Sequence, residues 1–364
     1  MLVLPQMYLA LIHKAVQRQP AARHFWFSDA GFYLPEPGRP MERWLDQLVS
    51  HRWPWMTAEL LPFAADGRGN QFCFHIRGDV EPRITGIVYW SYETYRAIPL
   101  TADFAGFMDW LLVVAHTMGR TLNLPPLDEE HFVQVVSPLA KILRPQTLEA
   151  LPGLLRGSIS THSQLAALNG RCASSQLVLG IARLETEQWE AGLERVHRAQ
   201  LEFPEFFSSF QAESQLLGDR LTSQQQLEAW IRCLRAPLMF SGDPELPHYA
   251  DIPESDPVWL FDRLSSSMDF LDEDLPVAVF RMVASDTPDL YETWLHAAVE
   301  CANEGDVRLA VTFTQNASLL SLNSGNEHHS FLLLQELFES LEWTWHQEIV
   351  ERELMIHGDR GVSS

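Results

Sequence analysis

The sequence predicts an α+β protein: an N-terminal mixed sheet with flanking helices, followed by an all-α, helical-repeat-like region. Three observations carry this expectation. A strand, a tight turn and a second strand are written at Leu60 to Ile76. Beyond residue 130 no alternating strand pattern of any length occurs, while helical periodicity recurs. Charge divides the chain as well: up to Pro125 there are 11 Lys+Arg and 11 Asp+Glu, whereas from Pro126 onward 15 stand against 37, so the whole net charge of −22 falls in the second part. Single cores stop growing near about 250–300 residues, so a chain of 364 residues is expected to form two domains. The divisions read from the sequence are an α+β domain at 1–118, a connector at 119–130, an acidic helical domain at 131–358 and a tail at 359–364.

The elements follow in order. Met1 to Val16 is apolar but too short to span a bilayer, which needs about 20 residues. Its charge, Lys14, lies at the far end rather than in front, and no small-residue cleavage site follows, so a secretion signal is not expected. The chain therefore reads as a cytoplasmic protein with no membrane segment. Leu60 to Ile76 is an apolar run, a turn in which Gly67 and Gly69 are expected to supply positive φ angles, and a strand rich in aromatic residues. Ile84 to Trp90 is a further strand. Thr101 to Val114 is a helix with Phe104, Phe107, Met108 and Leu111 on one face.

These blocks resemble the SUKH superfamily, which includes a yeast cell-wall-assembly regulator and many bacterial toxin-immunity proteins. The resemblance rests on Leu61-Pro62-Phe63-Ala64, Asp66-Gly67, Gly69-Asn70 and Phe72-Cys73 in the hairpin. It continues through Val88-Tyr89-Trp90 with Glu93, and through Asp103 to Met108 in the helix. Asp29 to Leu34 stands where the family's opening turn ends, so the resemblance spans residues 25 to 118. It implies an antidote that binds a cognate secreted toxin, often a nuclease, and blocks it without catalysis.

Met118 to Glu130, with Gly119, Pro125, Pro126 and the acid run Asp128-Glu129-Glu130, is the expected connector. Apolar residues then recur at helical spacing: Leu177, Ile181 and Leu184; Leu193, Val196 and Ala199; Leu227, Ile231 and Leu234; and Leu295, Val299, Val311, Leu332, Leu337, Leu341 and Ile349. Two stretches resemble tetratricopeptide-type helical hairpins. Gly180 and Gly192 are followed by Val196, Ala199 and Pro204, and Trp294, Ala298, Ala310 and Ala317 repeat the scheme. Small residues at such spacing let two antiparallel helices approach closely, and hairpins of this kind bury their faces by stacking.

Between these stretches lies the most acidic tract. From Asp243 to Asp274 there are ten acids against the single base Arg263, and Pro237, Pro244, Pro247, Pro253 and Pro257 break helix through its first half. An exposed loop with acids and the aromatics Tyr249 and Trp259 suits capture of a basic surface, the acids steering and a desolvated aromatic anchoring. The expected partner contacts are Asp251, Glu254, Asp256, Trp259, Asp262, Asp269, Asp272, Glu273 and Asp274, with Asp66 and Asn70 of the hairpin tip second. So acidic a chain repels nucleic acid and anionic membrane and complements a basic protein such as a nuclease.

The sequence contains no His-Glu-x-x-His, Cys-x-x-Cys, Gly-x-Ser-x-Gly or phosphate-binding Gly-x-x-x-x-Gly-Lys motif. Adjacent His328 and His329 would point about 100° apart on a helix and do not share an ion. Neither a catalytic residue nor a metal or cofactor is expected, and Cys73, Cys172, Cys233 and Cys301, each in an apolar context, read as free buried thiols. The functional expectation is an immunity protein that occludes the active site of a secretion-system effector. The alternative is a SUKH and helical-repeat scaffold in cell-envelope regulation.

Overall fold

The computed structural model describes residues 2–27, 30–36, 43–78, 80–111, 163, 166, 171–216, 222–241, 290–321 and 327–357. Its N-terminal part is a six-stranded sheet with the strands in sequence order: β1 (His24–Phe27), β2 (Ala30–Tyr33), β3 (Leu60–Ala65), β4 (Gln71–Arg77), β5 (Arg83–Trp90) and β6 (Ala97–Thr101). Every neighbouring pair is antiparallel, so the sheet is a meander rather than the mixed sheet expected. Strands adjacent in the sheet are consecutive in the sequence, so no crossover is needed to make a parallel pair.

Alternation along the strands divides the side chains between two faces, and each face is covered. On the first, Phe32, Phe63, Phe72, Phe74, Ile87, Tyr89 and Leu100 pack under α1 (Gln6–Arg18) and under the helix over 104–111, here α3. α1 starts at Pro5, whose carbonyl accepts the first helical bond from Leu9, and it buries Tyr8, Leu11, Ile12 and Ala15 at helical spacing. Tyr8 meets Phe63, Phe74 and Phe104 edge to face at 5.1–5.6 Å, the geometry the ring quadrupole favours. α2 (Trp44–Val49) closes this layer with Trp44, Leu48 and Val49.

On the second face, Leu60, Cys73, Val88, Trp90 and Ala97 pack against the helical part, meeting Ala173, Leu177, Val196, Phe203, Phe206, Met239 and Phe240. Sheet and hairpins thus share a core. The helices are α4 (Ala173–Glu185), α5 (Trp189–Glu202), α6 (Phe207–Leu216), α7 (Ser223–Leu234), α8 (Leu290–Asn303), α9 (Val307–Ser321), α10 (Glu327–Ser340) and α11 (Thr344–His357), with a 3-10 turn at Leu238–Phe240. α7 opens with a capping box in which Thr222 and Gln225 satisfy each other's backbone donors.

Both expected hairpins are present. In α4–α5, Gly180 and Gly192 face each other: a Cβ on Gly180 would stand 3.1 Å from the Gly192 carbonyl, and one on Gly192 would stand 2.6 Å from Leu184 Cγ. Ala298 and Ala310 take the same places in α8–α9, both fully buried. A third hairpin, α10–α11, was not recognised in the sequence because its corresponding positions carry Gln335 and Gln347. The three turns share one geometry. A left-handed residue (Glu187, Gly305 or Glu342) is followed by one (Gln188, Asp306 or Trp343) whose N–H bonds the carbonyl five positions back. That same residue then accepts from the residue four positions on. This is the Schellman closure, with the next helix started at once.

All four cysteines are buried free thiols, and burial raises the pKa of each. Among the described residues no helix is long and apolar enough to cross a membrane.

Candidate functional site

The β3–β4 hairpin forms as expected, with Asp66 N–H donating to the Asn70 carbonyl across the turn at 3.0 Å. Only one of its glycines takes a positive φ, Gly69 at +100°. The Asp66 carboxylate removes the need for a second, because Oδ1 accepts from the backbone N–H groups of Arg68 at 2.8 Å and Asn70 at 3.0 Å and so closes the loop itself. Its Oδ2 accepts from Asn70 Nδ2 at 2.9 Å and from the Tyr89 hydroxyl at 2.7 Å. Asp66 and Asn70 are each 8% exposed. Both side chains are directed into the network that holds the tip. Burial, and then the neighbouring carboxylate, push the Tyr89 pKa up, keeping the phenol protonated and donating.

What the tip turns outward is different: a Cβ at Gly67 would stand in open space, Arg68 is exposed, and beside them the rings of Tyr92 and Trp53 stack at 5.6 Å. Trp53 is 39% exposed. The aromatic surface continues on the β1–β2 side of the second face. There Trp26, 56% exposed, lies over Gly31, and Tyr33 stacks on His51 at 3.9 Å. Nothing in the apolar-polar pattern marks Trp53, which lies in a loop. The signal for Trp26 is its position on an edge strand opposite a glycine.

The acidic tract lies outside the described residues, and with it Asp251, Glu254, Asp256, Trp259, Asp262, Asp269, Asp272, Glu273 and Asp274. The described helices bring together other acids. Each hairpin turn exposes a pair: Glu185 and Glu187 between α4 and α5, Glu304 and Asp306 between α8 and α9, and Glu339 and Glu342 between α10 and α11. Because α9 packs on α10 in an antiparallel array, the second and third turns lie at the same end of the stack. Arg308, just past the second turn, lies over the Trp343 ring of the third at 5.5 Å and ties the two turns together.

One cluster of titratable groups sits at the seam between sheet and helices. His75 of β4 is buried; its Nδ1 lies 2.8 Å from Thr85 Oγ1, and its Nε2 lies 3.1 Å from Glu205 Oε2 in the link between α5 and α6. Thr85 is the extra residue of a β-bulge opposite His75 and Ile76. Burial pulls the His75 pKa down most, but the charge and hydrogen bond of Glu205, with the charge of Glu59, together outweigh it and the net shift is upward. A hydroxyl, an imidazole and a carboxylate in this order resemble a nucleophile with its base. The upward shift means that the imidazole gives up its proton less readily than a free histidine, which works against its use as a base.

Among the described residues, cavities also open at two other places. One of about 30 Å³, between Trp55, Thr57, Trp90, Tyr95, Met239 and Gln315, has room for a water. The other is a surface groove of about 730 Å³ floored by Phe74, Ile84 and Phe104, with Glu81, Arg83 and Asp103 at its rim. Thr85 lines neither. His328 and His329 are exposed in the first turn of α10, and among the described residues no three His, Cys, Asp or Glu side chains converge as metal ligands.

No family model matches this chain, and no curated protein matches it.

Proposed function

We propose that this chain is an immunity protein that acts in the cytoplasm by binding a cognate protein toxin and covering its active site. The toxin would carry a basic surface, as a nuclease effector delivered by a secretion system does. The observation that carries this reading is the placement of charge: a neutral sheet domain is joined to helical hairpins whose turns repeatedly expose paired acids. Such a surface speeds encounter with a basic partner and competes with phosphate for the same cleft. Stacked, half-exposed aromatics at the hairpin tip supply desolvated anchors of the kind that dominate tight interfaces. Blocking by occlusion requires neither catalysis nor a cofactor.

Affinity capture with the tagged chain in its native cells, at low and at high salt, tests the proposal. One basic partner at fixed stoichiometry that is lost at high salt is the expected result. Changing Asp251, Glu254, Asp256 and Asp262 to lysine should leave the circular dichroism spectrum intact and weaken that partner's binding at least tenfold, about 1.4 kcal/mol. Unchanged affinity would remove the tract from the mechanism. The stacked hairpins also suit a scaffold. Several sub-stoichiometric partners would favour that reading.

A further inference from the structure

The seam between sheet and helices gathers more ionisable side chains than its packing needs, and they come from both sides of it. Glu59, just before β3, is buried, and its carbonyl accepts from Ile76 N–H at 2.7 Å, which fixes it against β4. His75 reaches across the seam to Glu205, a third exposed at its side chain. Phe203 and Phe240 from the helical part close over the imidazole at 4.9 and 5.3 Å. From α11, fully buried His346 places Nε2 3.2 Å from the Ile76 carbonyl and packs against the rings of Phe338 and Trp343. The other groups facing this cluster are Arg77 of β4, Thr85 of β5, Gln315 of α9, and Arg52, which is itself paired with Glu353 of α11 at 3.5 Å.

We propose that Glu59, His75, Glu205 and His346 form a proton-operated latch, closed in mildly acidic to neutral solution, whose opening loosens the helical part from the sheet as pH rises. With Glu59 protonated and His75 carrying its proton against Glu205, the four side chains sum to zero charge. Raising the pH removes the Glu59 proton and sets a second carboxylate beside Glu205. It also removes the His75 proton, the charge facing both carboxylates from within the seam. The cluster ends with two negative charges, Glu59 buried and Glu205 partly so, and among the described residues Arg77 stands at one side while Arg52 is held by Glu353, which favours hydration of the seam over its closure.

The directions agree with these proton losses. Burial, and then the Glu205 charge, raise Glu59 to about 7. His75 is raised despite its burial, and Glu205 is lowered despite its own because His75 faces it. Groups with raised pKa values in the closed seam hold protons that the open seam releases, so opening becomes easier as pH rises. His346 has the opposite sign: burial lowers it to about 4, and closure is resisted as pH falls below the ordinary histidine range. Between about pH 4.5 and 6.5 Glu59 and His346 offset each other, and above that His75 and the remainder of the Glu59 transition act without opposition.

Hydrogen exchange of the full chain, corrected for the intrinsic pH dependence of amide exchange, reads the latch directly. Opening at β4 and at residues 203–206 should rise several-fold from pH 6.5 to 8.5. In E59Q, which keeps the shape of the protonated acid, that rise should shrink, and opening between pH 4.5 and 6.5 should fall with rising pH because nothing offsets His346. Protection in the natural chain that does not change from pH 6.5 to 8.5, or an E59Q profile that coincides with it, overturns the proposal. Should E59Q fail to fold, the His75 imidazole titration followed by NMR decides: an apparent pKa above 6.5 supports the latch, and one at or below 6.5 refutes it.

Discussion

At the scale of single residues, the hairpin tip separates structural from exposed chemistry. Asp66 was expected to meet a partner, yet its carboxylate accepts four hydrogen bonds from within the turn and from Tyr89. Asp66→Ala should therefore lower unfolding free energy by about 2–4 kcal/mol, because it leaves buried donors unsatisfied. Urea unfolding measures this, and an unchanged midpoint would show that water replaces the carboxylate. Arg68, Tyr92 and Trp53 were not singled out from the sequence, although they border the same turn. The Asp-Gly and Gly-Asn steps were legible because turn chemistry is local. Which side chains face inward was not, since Tyr89 reaches Asp66 from a strand 23 residues away.

At the scale of elements, the hairpin turns repeat a backbone solution with different residues. Glycine occupies the left-handed position only between α8 and α9, where Gly305 has φ +90°; Glu187 and Glu342 adopt φ 62° and 58° with full side chains. Gly305→Ala should cost about 1–2 kcal/mol because the Cβ meets its own carbonyl in this conformation. Glu342→Gly should instead stabilise, by roughly 0.5 kcal/mol. Thermal unfolding of the two variants checks the opposite signs, and a destabilised Glu342→Gly would contradict the shared geometry. Small residues at Gly180, Gly192, Ala298 and Ala310 made two of these hairpins readable in advance. The third closes with Trp343 and two glutamines, and its pattern carried no comparable mark. Of the strands, β3, β4 and β5 were expected; β1, β2 and β6 are four or five residues long and pair only because neighbours are already in place.

At the scale of the molecule, the sheet is buried on one face by its own helices and over much of the other by the hairpins, so stability and titration at the seam are linked. His346 is neutral in the folded chain and protonated below about 6.5 once unfolded, so its contribution is present above that pH and lost as pH falls toward 4. His346→Gln, which keeps a side-chain donor near the Ile76 carbonyl, should flatten the fall in melting temperature between pH 6.5 and 4. A fall as steep as that of the natural chain would assign the acid limb to other groups. The sequence by itself determined the α+β class, the β3–β4 hairpin, two helical hairpins and the one-sided charge. Each of these depends on local periodicity, turn residues or simple counting. Only the tertiary structure decided that the sheet is an antiparallel meander, that Asp66 and Asn70 point inward, and that Glu59, His75, Glu205 and His346 share one seam. Those outcomes depend on contacts between residues as much as 270 positions apart, and no local pattern records which distant side chains will meet.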